Sequence, residues 1–207
     1  PIYGRPSHSL IAYLGALTGV GTIPEAIRVD GIAKAARAVM DDEYEPSIEV
    51  PSGVDIRAYE SELFERWENT ALGHRTSQVG TDGSVKLRQR IPEPALLALG
   101  RGDMPHLIAL TVAGYLSCIA PLPGFDPGLH AAAMTDASRE RLAGFAATAR
   151  DGRELAKRVI AELHLFGAEL GAEDAFIARV GDLIDTIRRH GVDAAIADAV
   201  SASQTTK

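Results

Sequence analysis

The sequence has little of what exported and membrane proteins need. One of its 207 residues is cysteine, Cys118, so the chain cannot close an internal disulfide, and we expect a reducing, cytoplasmic location. The N-terminus lacks the basic segment, apolar core and small-residue cleavage site of a signal peptide. The most apolar run, from Leu107 to Ala120, is shorter than the ~20 residues that cross a bilayer. We interpret it as a buried helix, with Cys118 in the core, and we expect no membrane partner.

Positive charge is also scarce. Lysine and arginine together number 21, against 28 aspartate and glutamate residues, which gives a net charge of −7. Because neutralising phosphates requires a basic surface, this balance argues against nucleic acid as the main partner.

Several signature motifs are missing. The six histidines are scattered, and neither HExxH nor CxxC occurs, so we expect no metal site. A GxSxG elbow is absent, which leaves a hydrolytic triad without support. No GxGxxG follows a strand, so this chain should not contain a dinucleotide-binding fold.

What the sequence does contain is helical periodicity. The pattern predicts an all-α domain of roughly eight to ten helices over residues 6–200, followed by a frayed tail at 201–207. The predicted helix starts are Ser7, Thr22 with Pro24, Asp30, Asp55 and Ser84. Two apolar stripes stand out, Leu155–Val159–Leu163–Phe166 and Phe176–Val180–Leu183–Ile187, and Gly191 should end the second helix.

His8 lies at the start of the first apolar helix. Leu10, Leu14 and neighbouring apolar residues fall on one side, and His8 falls roughly opposite, with Ala12, Gly15 and Gly19 behind it. Such a small-residue face leaves room for a ligand or lets another helix pack closely. A histidine in a first helical turn stays neutral more easily and can donate a hydrogen bond to a carbonyl or alkoxide oxygen. A capping or surface histidine without chemistry is the alternative.

The stretch from residue 74 to residue 90 reverses the overall charge. It holds His74, Arg75, Lys86, Arg88 and Arg90 but a single acid, Asp82. Lys86 and Arg90 are four residues apart and should share a helix face, with Gln89 close to it. Together they can hold a carboxylate or several hydroxyls. The alternative is a solvated basic face that pairs with acids elsewhere, such as those of "DDEYE".

Two segments together resemble one family. "SHSLIAYLGALTG" and "RWENTALGHRTSQVGTDGSVKLRQR" are similar to the C-terminal half of the mannitol dehydrogenase family, the polyol-specific long-chain dehydrogenases, and look closest to its fructuronate reductase (mannonate oxidoreductase) branch. His8 and Ser9 match the end of that family's catalytic signature, which reads Lys, four residues, Asn, two residues, His and then Ser. The later family block is matched by Arg66, Trp67, Asn69, Ala71, Leu72, His74, Arg75, Thr76, Asp82, Gly83, Ser84, Lys86, Leu87, Gln89 and Arg90.

The resemblance implies an all-α fold like the C-terminal domain of long-chain mannitol dehydrogenases. It implies an N-terminal Rossmann domain of the same polypeptide, which would bind NAD or NADP, and a small sugar acid or polyol as substrate. His8 would assist at the reacting oxygen. Lys86, Gln89 and Arg90, with Arg75 behind them, would bind distal hydroxyls or a carboxylate.

The departures from the family lie mainly at the start of the chain. The signature lysine would lie one position before Pro1, and Arg5 occupies the position of the signature asparagine, followed by the atypical Pro6. Thr70 and Arg88 stand where the family commonly has prolines. We therefore expect residues 1–5 to be a remnant of a vector or of a domain boundary.

The resulting hypothesis is a substrate domain that interconverts a polyol or sugar acid and its keto form, such as D-mannonate/D-fructuronate or mannitol/fructose, and that is inactive without its nucleotide domain. A non-catalytic helical binding module derived from this fold is the first alternative. An unrelated regulatory domain that binds a small anion through the basic stretch is the second.

Overall fold

The computed structural model describes residues 4–48, 50 and 53–205, and the named elements among these residues are all helices joined by turns and loops. In chain order the α-helices are α1 (Gly4–Leu17), α2 (Ile23–Ala26), α3 (Asp30–Ala38), α4 (Ile56–Glu68), α5 (Thr76–Gly80), α6 (Gly83–Arg90), α7 (Pro92–Gly100), α8 (His106–Ile119), α9 (Gly128–Ala132), α10 (Arg139–Thr148), α11 (Gly152–Ala156), α12 (Ala168–Gly171), α13 (Asp174–His190) and α14 (Val192–Thr205). Two π-helices, Val39–Tyr44 and Lys157–Glu162, and two 3₁₀ turns, Glu45–Ser47 and Thr70–Leu72, complete the set. The predicted all-α class is confirmed, with more and shorter helices than expected.

Local signals correctly predict three helix boundaries. Thr22 and Glu25 form a capping box at α2, in which the Thr22 hydroxyl accepts from the Glu25 amide at 3.3 Å and the Glu25 carboxylate accepts from the Thr22 amide at 3.1 Å. Asp55 accepts from the Ala58 amide at 3.1 Å and caps α4. Gly191 ends α13 with a φ of 88°. Glycine adopts a positive φ at little energetic cost because it has no Cβ atom.

Three other predicted caps are wrong, because each of these residues lies within its helix. α1 begins at Gly4, so Ser7 lies inside the helix, where it is fully buried. Asp30 is the first residue of α3 rather than its cap. Ser84 is the second residue of α6, whose preceding turn is formed by Asp82 in the left-handed region, at φ 56°. A serine or aspartate caps a helix only where the chain changes direction, and tertiary packing decides where that happens.

The π-helices mark places where the regular period fails. Lys157–Glu162 interrupts the helix predicted through Leu155 and Val159, so Leu163 and Phe166 follow it instead of continuing the stripe. Val39–Tyr44 turns Glu43 and Tyr44 inward. The buried Glu43 carboxyl group accepts from the first amides of α8, those of Leu107 at 2.8 Å and Ile108 at 2.7 Å, and so caps a helix more than sixty residues away.

The core is built around α8. All residues from Leu107 to Ile119 are buried, which confirms the prediction for this apolar run and places Cys118 in the core. α1, α13 and α14 pack directly on α8, α11 packs on α13, and α5 packs on α1. No helix among the residues that the structure describes is both long and apolar enough to span a bilayer.

At the ends of the chain, the sequence predicts a remnant over residues 1–5 and a frayed tail over residues 201–207. Residues 1–3 lie outside the described residues, and the backbone of Gly4 and Arg5 is already helical in α1. At the other end α14 continues to Thr205, through positions where a frayed tail is expected, and residues 206–207 lie outside the described part.

Candidate functional site

His8 lies in the second turn of α1 and is surrounded by rings. Its imidazole stacks on the Trp67 indole of α4, with centroids 5.8 Å apart and planes 20° from parallel. The His74 ring lies 6.2 Å away at 44°. The Nε2 atom of His8 is buried and has no hydrogen-bond partner among the described residues. Because an unpaired buried polar atom costs free energy, this nitrogen is a natural place for a ligand oxygen.

Trp67 is held in place by neighbouring side chains of α3 and α4. The Phe64 ring lies edge-on to it at 5.1 Å, and the Arg37 guanidinium of α3 lies 3.7 Å from the centre of the Phe64 ring. Trp67 is 6% exposed, so the surrounding side chains leave its indole little freedom to turn.

The segment that carries His74 is attached to the loop after α1. Thr22 and Arg75 form an isolated antiparallel bridge, and the Ile23 amide donates to the His74 carbonyl at 2.8 Å. The Thr76 hydroxyl donates to the Val20 carbonyl at 2.9 Å. These bonds hold a segment that is distant in sequence beside α1, and they place His74 next to His8.

Two predicted cations come to the same place from α6. The Arg90 guanidinium donates to the Ser9 hydroxyl, next to His8, at 2.9 Å. The Lys86 ammonium donates to the Thr81 carbonyl at 2.6 Å and to the Val79 carbonyl at 3.3 Å, at the C-terminal end of α5. Since an ammonium has three donors, Lys86 has a structural role in the turn and still keeps capacity for a ligand.

The N-terminus of α6 is held tightly against the core. A Cβ atom at Gly83 would lie 2.4 Å from the Tyr115 ring and 2.5 Å from the Tyr13 hydroxyl, so glycine is required there. The Asp136 carboxylate accepts from the Ser84 amide at 2.8 Å and from the Tyr115 hydroxyl at 3.1 Å. This seat sets the position of Lys86 and Arg90.

The electrostatics of the cluster keep His8 neutral. Burial, followed by the charges of His74, Arg90 and Lys86, lowers the pKa of His8 to about 4. Burial and the neighbouring Arg90 also lower the pKa of Lys86. The sequence predicts a neutral His8 because it places the residue in the first helical turn. In the structure it is the fifth residue of α1, beyond the main reach of the helix dipole, and burial is the leading cause.

The small residues behind His8 serve helix packing. A Cβ atom at Gly15 would lie 2.7 Å from that of Ala26 and 3.1 Å from Thr76 Cγ2, and Ala12 is fully buried. Gly19 lies beyond the end of α1, in the turn before α2. Of the two interpretations left open by the sequence, close packing therefore applies to this face.

The remaining predicted site residues lie further out. Gln89 and Arg75 are exposed, and Arg75 is placed by its backbone bridge to Thr22. The acids of "DDEYE" are engaged elsewhere: Asp41 and Glu45 pair with Arg57 of α4 at 2.6 and 3.5 Å.

One acidic cluster has no signature in the sequence motifs for metal sites. Oxygens of Asp41, Glu45 and Glu60 lie within 4.8 Å of one another. The Arg57 guanidinium binds all three carboxylates, so a cation already fills the space between them.

Sequence reasoning also missed Trp67, His74 and Asp136 as parts of the site. Trp67 follows Tyr59 and Leu63 at four-residue spacing, a pattern that predicts a core position, and in the sequence His74 is only one of several basic residues. Asp136 had no signal at all, because its role depends on a contact with residues more than fifty positions away.

The comparisons with known proteins agree with this architecture. The family model for the mannitol dehydrogenase C-terminal domain matches residues 5–188. D-mannonate oxidoreductase of Escherichia coli K12 is 44% identical over 110 residues, which are 53% of this chain and 23% of that protein. An uncharacterized E. coli oxidoreductase, YdfI, is 31% identical over 92% of this chain and 38% of its own length.

The fold is shared with a solved structure. Mannitol 2-dehydrogenase of Pseudomonas fluorescens, in a ternary complex with NAD and D-mannitol, superposes with a TM-score of 0.81 at 22% identity, over 95% of this chain and 39% of that one. The chain thus spans less than two fifths of the length of these relatives. With a family model matched over most of its residues, the chain belongs to the mannitol dehydrogenase family and corresponds to its C-terminal domain.

Proposed function

We propose that this chain is the substrate-binding domain of an NAD(P)-dependent oxidoreductase that interconverts a polyol or a sugar acid and its keto form. D-mannonate/D-fructuronate is the favoured pair, and mannitol/fructose is the alternative within the same class. The observation that carries the proposal is the convergence of a neutral His8 with Lys86 and Arg90, from helices almost eighty residues apart.

His8 would bind the reacting oxygen. A neutral imidazole can donate a hydrogen bond to an oxygen that gains negative charge, without first losing a proton to the substrate. Its Nε2 atom has no partner among the described residues, and the Trp67 and His74 rings fix the plane in which the bond would form.

Lys86 and Arg90 would bind the far end of the substrate. Both are partly buried beside His8, and their positive charges favour the carboxylate of a sugar acid over a neutral polyol. The exposed Gln89 and Arg75 would contact hydroxyl groups at the rim of the site. This preference for an anion supports the mannonate branch.

The nicotinamide cofactor would be bound mainly by an N-terminal Rossmann domain of the same polypeptide, and this chain carries no dinucleotide fingerprint of its own. When bound, the cofactor supplies or accepts the hydride. The residues of this chain bind the substrate, orient its oxygen and keep water from the His8 ring.

The test is a substrate panel on the complete gene product, followed by NADH or NADPH absorbance. We expect turnover with fructuronate or another keto sugar. His8→Ala should lower kcat by about 100- to 1,000-fold, since it removes one donor to the developing charge. Lys86→Ala should raise KM more than it lowers kcat, because its contact is made in the ground state as well.

Arg88→Ala is the matched control. Arg88 is an exposed cation on the same helix, and its loss should leave both constants nearly unchanged. Equal effects of Lys86→Ala and Arg88→Ala would contradict the proposed clamp. Binding of a sugar acid without turnover of any substrate would favour a non-catalytic binding module instead.

A further inference from the structure

We infer that Trp67 is a positioning residue for His8: its indole holds the imidazole plane in a fixed orientation and covers one face of the ring against water. The inference deepens the proposed function, because the orientation matters for catalysis only if His8 binds the reacting oxygen. Its structural part, the control of the state of His8 by Trp67, can be tested independently of any activity.

The geometry is that of an offset stack. The two centroids lie 5.8 Å apart with planes only 20° from parallel, an arrangement within the favourable range for aromatic pairs. A parallel stack lets the imidazole slide a little but opposes its rotation about χ2, the motion that would point Nε2 away from a substrate.

Other side chains hold the Trp67 indole in place, so the indole restricts the His8 ring more than the His8 ring restricts the indole. Trp67 is buried and braced by Phe64, which lies in turn beneath the Arg37 guanidinium. Because residues of α3 and α4 hold the indole in a fixed position, the orientation of the His8 ring follows that of the indole.

Burial is also the leading cause of the lowered pKa of His8. The charged groups that act on it come from two elements besides its own: His74 from the segment before α5, and Lys86 and Arg90 from α6. Lys86 and Arg90 are cationic, and each of the three groups disfavours the imidazolium. Trp67 is the uncharged partner whose removal would admit water without changing the charge around the ring.

Two substitutions test whether an aromatic ring at position 67 is required. Trp67→Leu removes the stacking plane, and Trp67→Phe keeps an aromatic ring there. We expect Trp67→Leu to raise the NMR titration midpoint of His8 by about one pH unit or more toward its ordinary value, since water then reaches the ring. Trp67→Phe should preserve most of the low midpoint. The His8 signal is assigned by its loss in His8→Gln.

Phe176→Leu is the control for simple destabilisation. Phe176 is a fully buried ring of α13, a helix that packs on α8 and α11, so its loss should weaken the fold and leave the His8 midpoint unchanged. A Trp67→Leu protein that is folded but titrates like the wild type would overturn the inference.

The unmodified chain offers a second measurement, which does not depend on the folding of any Trp67 variant. Trp67 is the sole tryptophan of the sequence, so the intrinsic emission reports on one indole. Protonation of the stacked His8 should quench this emission with the same midpoint as the NMR titration, and His8→Gln should lack the step while circular dichroism remains helical. An emission that is indifferent to the His8 midpoint would also refute the inference.

Activity measurements separate the positioning role of Trp67 from the proposed catalytic function. In the complete gene product, Trp67→Leu should shift the acidic limb of the kcat profile upward in pH, with partial rescue by Trp67→Phe. If no substrate is turned over but the His8 midpoint still moves, the proposed function fails and the role of Trp67 stands. If turnover is found and neither the midpoint nor the pH profile moves, Trp67 has no positioning role.

Discussion

At the scale of single residues, His8 shows how a fold controls the charge of a side chain. Burial, with His74, Arg90 and Lys86 adding to the effect, lowers the pKa of the imidazole to about 4 and so keeps the ring neutral near pH 7. The same arrangement must affect stability, because the unfolded chain restores the ordinary pKa of the imidazole.

The predicted consequence is a pH-dependent contribution to the free energy of unfolding. Between pH 6.5 and about 4 the unfolded state binds a proton at His8 that the folded state excludes. Stability from this residue is therefore present above pH 6.5 and is lost progressively as the pH falls toward 4. The pKa difference corresponds to roughly 3 kcal/mol at most.

Urea unfolding of the wild type and of His8→Gln at pH 7, 6, 5 and 4.5 measures this contribution. The wild type should lose stability relative to the variant as the pH falls. The difference is the proper quantity because burial also raises the pKa of Glu43 to about 8, and that group makes the fold less stable as the pH rises between 4.5 and 8. Parallel curves for the two proteins would show that His8 is not held neutral.

For single residues, the sequence predicts which chemical groups could form a site more readily than it predicts their tertiary contacts. The residue types of His8, Lys86 and Arg90 suggest a site for an oxygen and an anion, and the structure brings the three together. Trp67 and Asp136 could not be assigned in the same way. A tryptophan on an apolar stripe has the signature of a core residue, and an aspartate that binds a distant amide has no local signature.

At the scale of secondary-structure elements, α6 is the part whose placement matters most. It carries Lys86 and Arg90, the two cations that lie beside His8, and its N-terminus is fixed by Gly83 against Tyr13 and Tyr115. Asp136 adds a hydrogen bond to the second residue of the helix. A change at this seat should be felt at Lys86, three residues on.

We therefore expect Gly83→Ala to destabilise the protein by about 1–3 kcal/mol, as overpacking of a core does. The new Cβ atom would lie 2.4 Å from the Tyr115 ring, and either α6 or the tyrosine must move. Gly144→Ala in α10 is the matched control, because nothing lies within 4 Å of its Cβ position and alanine is the better helix former by about 1 kcal/mol. Denaturant midpoints measure both changes, and a Gly83→Ala protein as stable as Gly144→Ala would refute the tight seat.

The elements also show which sequence signals can be trusted. Caps next to a proline or a loop, as at Thr22 and Asp55, are read correctly because the boundary is local. Serine is as good a capping residue as threonine or aspartate, but Ser7 and Ser84 lie inside helices. The packing of α1 and α6 determines where these two helices begin. The π-helices have no counterpart in a pattern built on 3.6 residues per turn, although one of them delivers Glu43 to the start of α8.

At the scale of the whole molecule, the described residues form one continuous hydrophobic core centred on α8. The family relatives are more than twice as long, and the part matched here is their C-terminal domain. The continuous core and the absence of a dinucleotide fingerprint from this sequence lead to two separate predictions, one about folding and one about turnover.

The 207-residue chain by itself should fold and still be unable to turn over NADH. We expect a helical far-UV spectrum and a cooperative thermal transition, because the core needs no partner to close around α8. With fructuronate, mannonate, fructose or mannitol, the absorbance of NADH or NAD⁺ mixtures at 340 nm should not change, since the proposed function assigns the dinucleotide mainly to an N-terminal domain of the same polypeptide. The complete gene product under the same conditions is the positive control. Turnover by the isolated chain, in a preparation shown to be free of contaminating reductase, would place the hydride chemistry within these helices and contradict the division of labour proposed for them.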